Sequence, residues 1–374
     1  MNFDFSDEQK QLREEARRFL ADRCPTTAVR VVLEGPEPYD KALWKGLAEM
    51  GFLGAAIPEE FGGVGLGHLE LCVIAEELGR AVAPVPMASS IYLAAEFLMT
   101  VGSQAQKEAW LPKLASGEAI GTFALSEGVG RVTEASIKAS VSGGKLSGTK
   151  VPVPDGDVAD MAVVVARSGG QVSLFLVDLN GPGVTREAVD TIDPSRSQAR
   201  ISFDSAPAEL LGAAGEGWRI AADVMDRAAV LVAFEQVGGA DRALEMGRDY
   251  ALERMAFGRQ IGSFQAVKHM LADMYVAATL ARSNAYYGAW ALSTGSPELG
   301  VAAATARVSA TDAFQHCAKN NIQVHGGMGF TWAFDCHLYY RRSNALAVGL
   351  GSKSTWEDLL IERLRMRNDS PAAA

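Results

Sequence analysis

Positive charge is in short supply in this chain: Lys and Arg number 35 against 45 Asp and Glu, a net charge of −10 over 374 residues. A nucleic-acid partner needs a basic face to neutralise phosphates, so none is expected. Cysteine is scarcer still. Cys24, Cys72, Cys317 and Cys336 are the four present, far apart and without a Cys-x-x-Cys pair. That argues against a zinc site or a disulfide frame and for a reduced, cytoplasmic protein. The opening residues, Met1-Asn2-Phe3-Asp4-Phe5-Ser6, carry acids where a secretory signal carries Lys or Arg. Long apolar runs are missing too, and uncharged stretches such as that from Ser283 to Pro297 are too short and too polar to span a bilayer. The glycines of Ile57-Pro58-Glu59-Glu60-Phe61-Gly62-Gly63-Val64-Gly65-Leu66-Gly67 include no Gly-x-Gly-x-x-Gly and follow no strand pattern, which excludes a Rossmann phosphate loop from expectation.

What is present is a large apolar fraction, 48%, enough for a sizeable core and two or three domains. Residues 1–119 read as helices separated by Gly and Pro. Ser6 is the expected N-cap of the first helix, with Leu12, Ala16, Phe19 and Leu20 on one face behind it. Over 120–211 the period changes. Met161 to Ala166, Gln171 to Asp178 and Ala199 to Asp204 are short, rich in Val, Ile, Leu and Phe, and bounded by Gly, Pro, Asp and Ser, as strands of a small β domain would be. Over 212–374 helical periodicity returns, with Val267, Met270, Leu271, Met274, Tyr275 and Ala278 along one stripe. The expected class is α+β: a helical domain, a small β domain and a C-terminal helical bundle.

Two blocks carry more information than the rest. The first is Arg254-Met255-Ala256-Phe257-Gly258 with Gln265 eight residues after the Phe; the second is Gln323-Val324-His325-Gly326-Gly327-Met328-Gly329-Phe330. Together they resemble the signatures of the acyl-CoA dehydrogenase family, and the loop Pro58-Glu59-Glu60-Phe61-Gly62-Gly63 is similar to another element of it. The resemblance spans nearly the whole chain and implies that family's α–β–α fold, FAD as cofactor, an acyl-CoA substrate and electron-transfer flavoprotein as electron acceptor. It also implies that Arg254, Phe257, Gln265, Gln323, Gly326 and Gly327 clamp the adenine and pyrophosphate end of FAD held by a neighbouring subunit. The chemistry suits these residue types: Arg pairs with pyrophosphate through a planar fork, Phe offers an apolar wall, the amides donate hydrogen bonds, and glycine lets backbone come close.

The implied reaction removes the α-proton of a thioester to a carboxylate while a hydride leaves the β-carbon, so a base must reach the substrate. The family's usual base is a Glu some eight residues after an Arg-Asp pair. Here the stretch runs Arg341-Arg342-Ser343-Asn344-Ala345-Leu346-Ala347-Val348-Gly349-Leu350-Gly351-Ser352, with Leu350 at that place and no carboxylate until Glu357. A minority of relatives carry the base on the first long helix of the C-terminal domain; aligned on Arg242-Ala243-Leu244, this chain has Ala228 there. The catalytic residue is therefore not identified. Glu235 and Asp226 are the nearby acids that would serve a relocated base, or else structural hydrogen bonds.

The region expected to face the flavin ring also departs from the family. Thr122-Phe123-Ala124-Leu125-Ser126-Glu127 resembles the family's Ala-Leu-Thr-Glu strand, but Gly128-Val129-Gly130-Arg131 follows it, and Pro152-Val153-Pro154-Asp155 replaces a Trp-Ile-Thr-Asn element. Proline offers neither a ring to stack nor a donor. The pattern resembles actinobacterial enzymes in which two unlike chains share the work on bulky CoA thioesters, including those of steroid side chains. Three expectations follow: a subunit that supplies the adenine-end clamp to a second acyl-CoA dehydrogenase-like chain, an active homo-oligomer with a relocated base, or a non-catalytic interaction protein on the same fold. Trp290, Tyr286, Tyr287 and Phe314 are aromatics that could shape an acyl pocket or simply fill the core.

Overall fold

The computed structural model describes residues 5–369. Helices come first: α1 (Asp7–Arg23), α2 (Thr26–Glu34), α3 (Lys41–Glu49), α4 (His68–Arg80), a π-helical stretch over Ala88–Ala95, α5 (Glu96–Val101) and α6 (Gln104–Ala115). Strands follow: β1 (Gly121–Ala124), β2 (Ser140–Ser142), β3 (Lys145–Pro154), β4 (Met161–Ser168), β5 (Gln171–Asp178), β6 (Val184–Ala188), β7 (Gln198–Pro207) and β8 (Glu209–Leu211). The long helices α7 (Gly217–Glu253), α8 (Gln265–Ser293) and α9 (Leu299–His325) then precede α10 (Cys336–Gly349) and α11 (Lys353–Asp369), with the short strands β9 (Met255–Ala256) and β10 (Arg259–Gln260) between α7 and α8. This is the α+β arrangement expected. Among the described residues no helix is long and apolar enough to cross a membrane.

Two compact units make up the chain. One consists of Ala28–Gly67 and Pro84–Ala228 and holds the eight-stranded sheet, ordered β6-β7-β3-β2-β4-β5-β8 with β1 beside β4. Its centre is β4 paired antiparallel with β5 over the full register from Met161↔Asp178 to Ser168↔Gln171. Both strands are nearly continuous apolar runs because both faces are covered. The sequence pattern marks β4, β5 and β7, whereas β3 escapes it: prolines at 152 and 154 disguise a strand that pairs with β7 through two register shifts.

The other unit comprises the residues up to Thr27, His68–Ala83 and those from Ala229 onward. Ser6 caps α1 in a full capping box with Gln9, and Ala16 and Leu20 are its buried positions. Glycine sets its closest helix crossing. A Cβ on Gly79 of α4 would lie 1.8 Å from the Glu235 carbonyl oxygen of α7, and one on Gly238 would lie 1.8 Å from the Glu76 carbonyl oxygen. An Ala in place of a mid-helix Gly ordinarily gains about 1 kcal/mol in helix propensity. Here the two backbones would have to separate, at about 1–3 kcal/mol or more. Gly238→Ala is therefore expected to destabilise the protein, read as a lower denaturant midpoint.

The stripe expected on α8 is partly right. Met274 and Ala278 are buried, but Tyr275 is 63% exposed and Val276 and Leu280 stand exposed beside it. The helix carries apolar residues on two faces, and a single-period reading merges them. The four aromatics considered for an acyl pocket have structural surroundings. Phe314 is fully buried against Gly239, Tyr286 packs on Phe5 and Phe234, and Tyr287 stacks on Trp290 while donating to Glu298 at 2.8 Å.

Candidate cofactor-binding site

The first block folds as a hairpin. Ala256 pairs with Arg259 and Met255 with Gln260, leaving Phe257-Gly258 as a two-residue turn. Both turn residues have positive φ, 52° and 77°, the geometry of a type I′ turn, which Asn-Gly fills without strain. An aromatic residue in the left-handed region is disfavoured. Within the chain its ring meets Phe264 edge-on, with centroids 6.2 Å apart, yet Phe257 stays 96% exposed. Breaking both the backbone preference and the burial preference makes Phe257 a candidate functional position. Arg254, at the root of the hairpin, is exposed and makes no ion pair among the described residues. Other arginines of the same unit differ: Arg17 grips Glu77 at 2.7 and 2.9 Å, and Arg282 bonds Glu76 and Asp241. Gln265 is the first residue of α8, exposed at a helix N-terminus that no side chain caps.

The second block ends α9. Gln323 is exposed on its last turn, and Gly326 (φ 60°) and Gly327 stand where an added Cβ would meet no atom within 4 Å. The backbone is open to a ligand there. The exposed Met328 and Phe330 continue the surface.

Stacking joins the blocks. Tyr250, near the end of α7, lies flat on His325, the last residue of α9, with centroids 4.1 Å apart and planes at 22°. Phe334 meets both rings at an angle. His325 Nδ1 is 2.8 Å from the Asn321 carbonyl, which fixes that nitrogen as the donor, and burial lowers the imidazole pKa. Because Arg254 N–H donates to the Tyr250 carbonyl at 2.8 Å, the stack ties the Arg254 hairpin to the Gln323–Gly327 turn. Sequence reading missed Tyr250; its spacing of four from Arg254, at the end of a helical stretch, was the available signal.

The two positions at which the family carries its base hold no carboxylate. Leu350 is buried, and its carbonyl accepts the Trp356 indole N–H at 2.9 Å. Ala228 is fully buried. Glu235 is 1% exposed and 3.7 Å from Arg342, which itself donates to the carbonyls of Val82 and Ala83. Arg307 lies in the same buried cluster. It bonds Gln236 and the Leu346 carbonyl, and burial pushes its guanidinium down to about 10, against the pull of Glu235. Glu235 is the carboxylate among two arginines, a charge-balancing role. Asp226 is also buried, at 8% exposure.

In the unit that holds the sheet, Glu127 accepts from the Lys138 and Ala139 N–H groups and from the buried Lys150 ammonium at 2.7 Å. Burial pushes the Lys150 pKa down, and the Glu127 contact opposes that. Pro152 and Pro154 follow on β3, and Thr122 spends its hydroxyl on the Pro154 carbonyl. Asp155 is buried and accepts from Ser89 at 2.6 Å; burial raises its pKa. Lys150, Glu127, Thr122 and Asp155 are thus engaged within the unit.

Residues 6–118 match the acyl-CoA dehydrogenase N-terminal domain, and residues 215–364 match the acyl-CoA dehydrogenase C-terminal domain. The chain is 33% identical over 347 residues to acyl-CoA dehydrogenase IpdE2 of Mycobacterium tuberculosis, covering 92% of this chain and 94% of that protein. Among solved structures, the ChsE4-ChsE5 complex from Mycobacterium tuberculosis is similar with a TM-score of 0.89 at 29% identity, covering 100% of each chain. Butyryl-CoA dehydrogenase from Megasphaera elsdenii is similar with a TM-score of 0.90 at 26% identity, covering 98% of this chain and 100% of that one. The chain belongs to the acyl-CoA dehydrogenase family, whose members are FAD-dependent oxidoreductases.

Proposed function

We propose that this chain is one subunit of an assembly that desaturates an acyl-CoA thioester, and that it clamps the adenosine end of FAD held mainly by a second, acyl-CoA dehydrogenase-like chain. The observation that carries the proposal is Phe257, an aromatic ring held at positive φ and left 96% exposed. Arg254 offers an unpaired guanidinium beside it, and Gln265, Gln323, Gly326 and Gly327 complete an exposed surface.

These residues fit the adenosine diphosphate end of FAD, which presents anionic phosphates and a flat base. The residues at the ring end fit poorly. Pro152 and Pro154 have no side-chain donor or plate, and the polar groups near them are already bonded. FAD, when bound, supplies the acceptance of hydride; what this chain contributes is to grip and orient the far end. The base comes from the partner, because Glu235 is held by Arg342 in the interior. The solved ChsE4-ChsE5 complex, a structural neighbour at 29% identity, supports an assembly of unlike chains. Electron-transfer flavoprotein is the proposed acceptor of the electrons.

Assembly is the test. Isolated from its source through a tag on this chain, the protein is expected to bring with it, at equal stoichiometry, a second acyl-CoA dehydrogenase-like chain that carries a base and the ring contacts. Native mass spectrometry showing this chain alone, as a catalytically active oligomer, would sink the shared-site proposal in favour of a homo-oligomer.

A further inference from the structure

The same hairpin places a second guanidinium beside Arg254. Ala256 pairs with Arg259, and the Ile261 N–H donates to the Arg254 carbonyl at 2.8 Å, so the ladder continues one step past the β9–β10 pair. Side chains alternate along such a ladder. Arg254, Ala256, Arg259 and Ile261 therefore fall on one face of the ribbon, and Met255 and Gln260 on the other. Arg254 and Arg259 are diagonal neighbours on that face, roughly 7–8 Å apart at the backbone, with Ala256 and Ile261 on the other diagonal. Long side chains span that separation easily. Like Arg254, Arg259 is exposed and makes no ion pair among the described residues, in a chain of net charge −10. Two unpaired cations side by side repel one another, and an acidic chain had ample carboxylates with which to neutralise them.

Arg259 is nevertheless held in place. Its guanidinium carbon lies 4.0 Å above the Phe264 ring, and Phe264 meets Phe257 edge-on at 6.2 Å between centroids. Stacking fixes the guanidinium plane and leaves its N–H edges free to donate. We propose that Arg259 is a second cationic contact for the FAD pyrophosphate, so that two guanidiniums meet the two negative charges of the diphosphate. This rests on the clamp proposed above and adds to it a residue that the motif resemblance does not assign. Phe264 becomes a positioning residue for Arg259, and the Phe257–Phe264–Arg259 run makes the strained turn and the cation one device.

The test uses the flavin-bearing assembly isolated through a tag on this chain, with FAD dissociation measured by the recovery of flavin fluorescence on dilution. Arg259→Ala and Arg254→Ala are each expected to weaken FAD binding by about ten- to a hundredfold, the range for a charge-assisted hydrogen bond. Arg259→Lys should recover part of the loss, since it restores the charge without the planar fork. Phe264→Leu should give a smaller loss of the same kind. Melting of the flavin-free protein is expected to be unchanged in Arg259→Ala, because that side chain is exposed. Lost affinity in Arg254→Ala with unchanged affinity in Arg259→Ala overturns the Arg259 assignment and leaves the clamp standing. Unchanged affinity in both overturns the clamp itself. Weakened FAD binding accompanied by an equally lowered flavin-free melting temperature would make Arg259 a structural residue and overturn the assignment.

Discussion

Purified without a partner, the chain is expected to emerge colourless and inactive toward acyl-CoA. The proposed clamp, built on an exposed hairpin, would act on a cofactor seated elsewhere, so in a monomer Arg254, Phe257 and Gln323 would have nothing to hold. The chain's own ring-side surface offers prolines at 152 and 154 and a Glu127 carboxylate already satisfied by Lys138, Ala139 and Lys150. Each missing charge-assisted contact forfeits roughly 1.5–3 kcal/mol, so losing two or three removes binding from the working range altogether. Visible flavin absorbance after gel filtration is the measurement. One FAD retained per lone chain would refute the shared-site proposal, and co-purified partner should restore the colour if the proposal is right.

Glu235→Gln should separate the structural from the catalytic meaning of that acid. The carboxylate is 1% exposed and 3.7 Å from Arg342, with Arg307 in the same cluster. Removing its charge takes a carboxylate away from two buried guanidiniums, and breaking a buried pair in this way costs about 3–5 kcal/mol. The variant is therefore expected to melt well below the unaltered protein while turning over at nearly the same rate per folded, flavin-bearing assembly. Loss of a general base costs on the order of 10²–10⁴ in rate. A rate loss on that scale, with flavin bound and stability unchanged, would make Glu235 the base after all.

The elements that sequence pattern located best were those set by local rules. Ser6 and Gln9 form the capping box, β5 covers the expected residues, and the motif spacing places Arg254, Phe257, Gln323 and Gly326 on exposed turns. What stayed hidden depends on residues distant in the chain. The partner of Glu235 is Arg342, and that of His325 is Tyr250; neither pairing leaves a periodic mark. Strand β3 was obscured because proline argues against a strand wherever its N–H would be needed, and only the register shown by β7 tells that it is not. Arg259 was legible in principle, as an alternate position of a hairpin, but only once the two-residue turn at Phe257-Gly258 was known.

The Phe257-Gly258 turn bears on how the chain would fare before it meets the proposed partner. Asn at position 257 would relax the backbone and hide no less surface, so selection for a durable solitary chain would have installed it long ago. Instead the newly made protein displays a bare ring on a tight turn, and Met255, Met328 and Phe330 are exposed as well, apolar surface of the kind that chaperones and proteases survey. Orphan copies should be short-lived, and synthesis of the two chains has reason to be matched in time and amount. Under the proposed clamp the hairpin would link cofactor retention to subunit supply, and a cell that makes too little of the partner is expected to lose this chain as well.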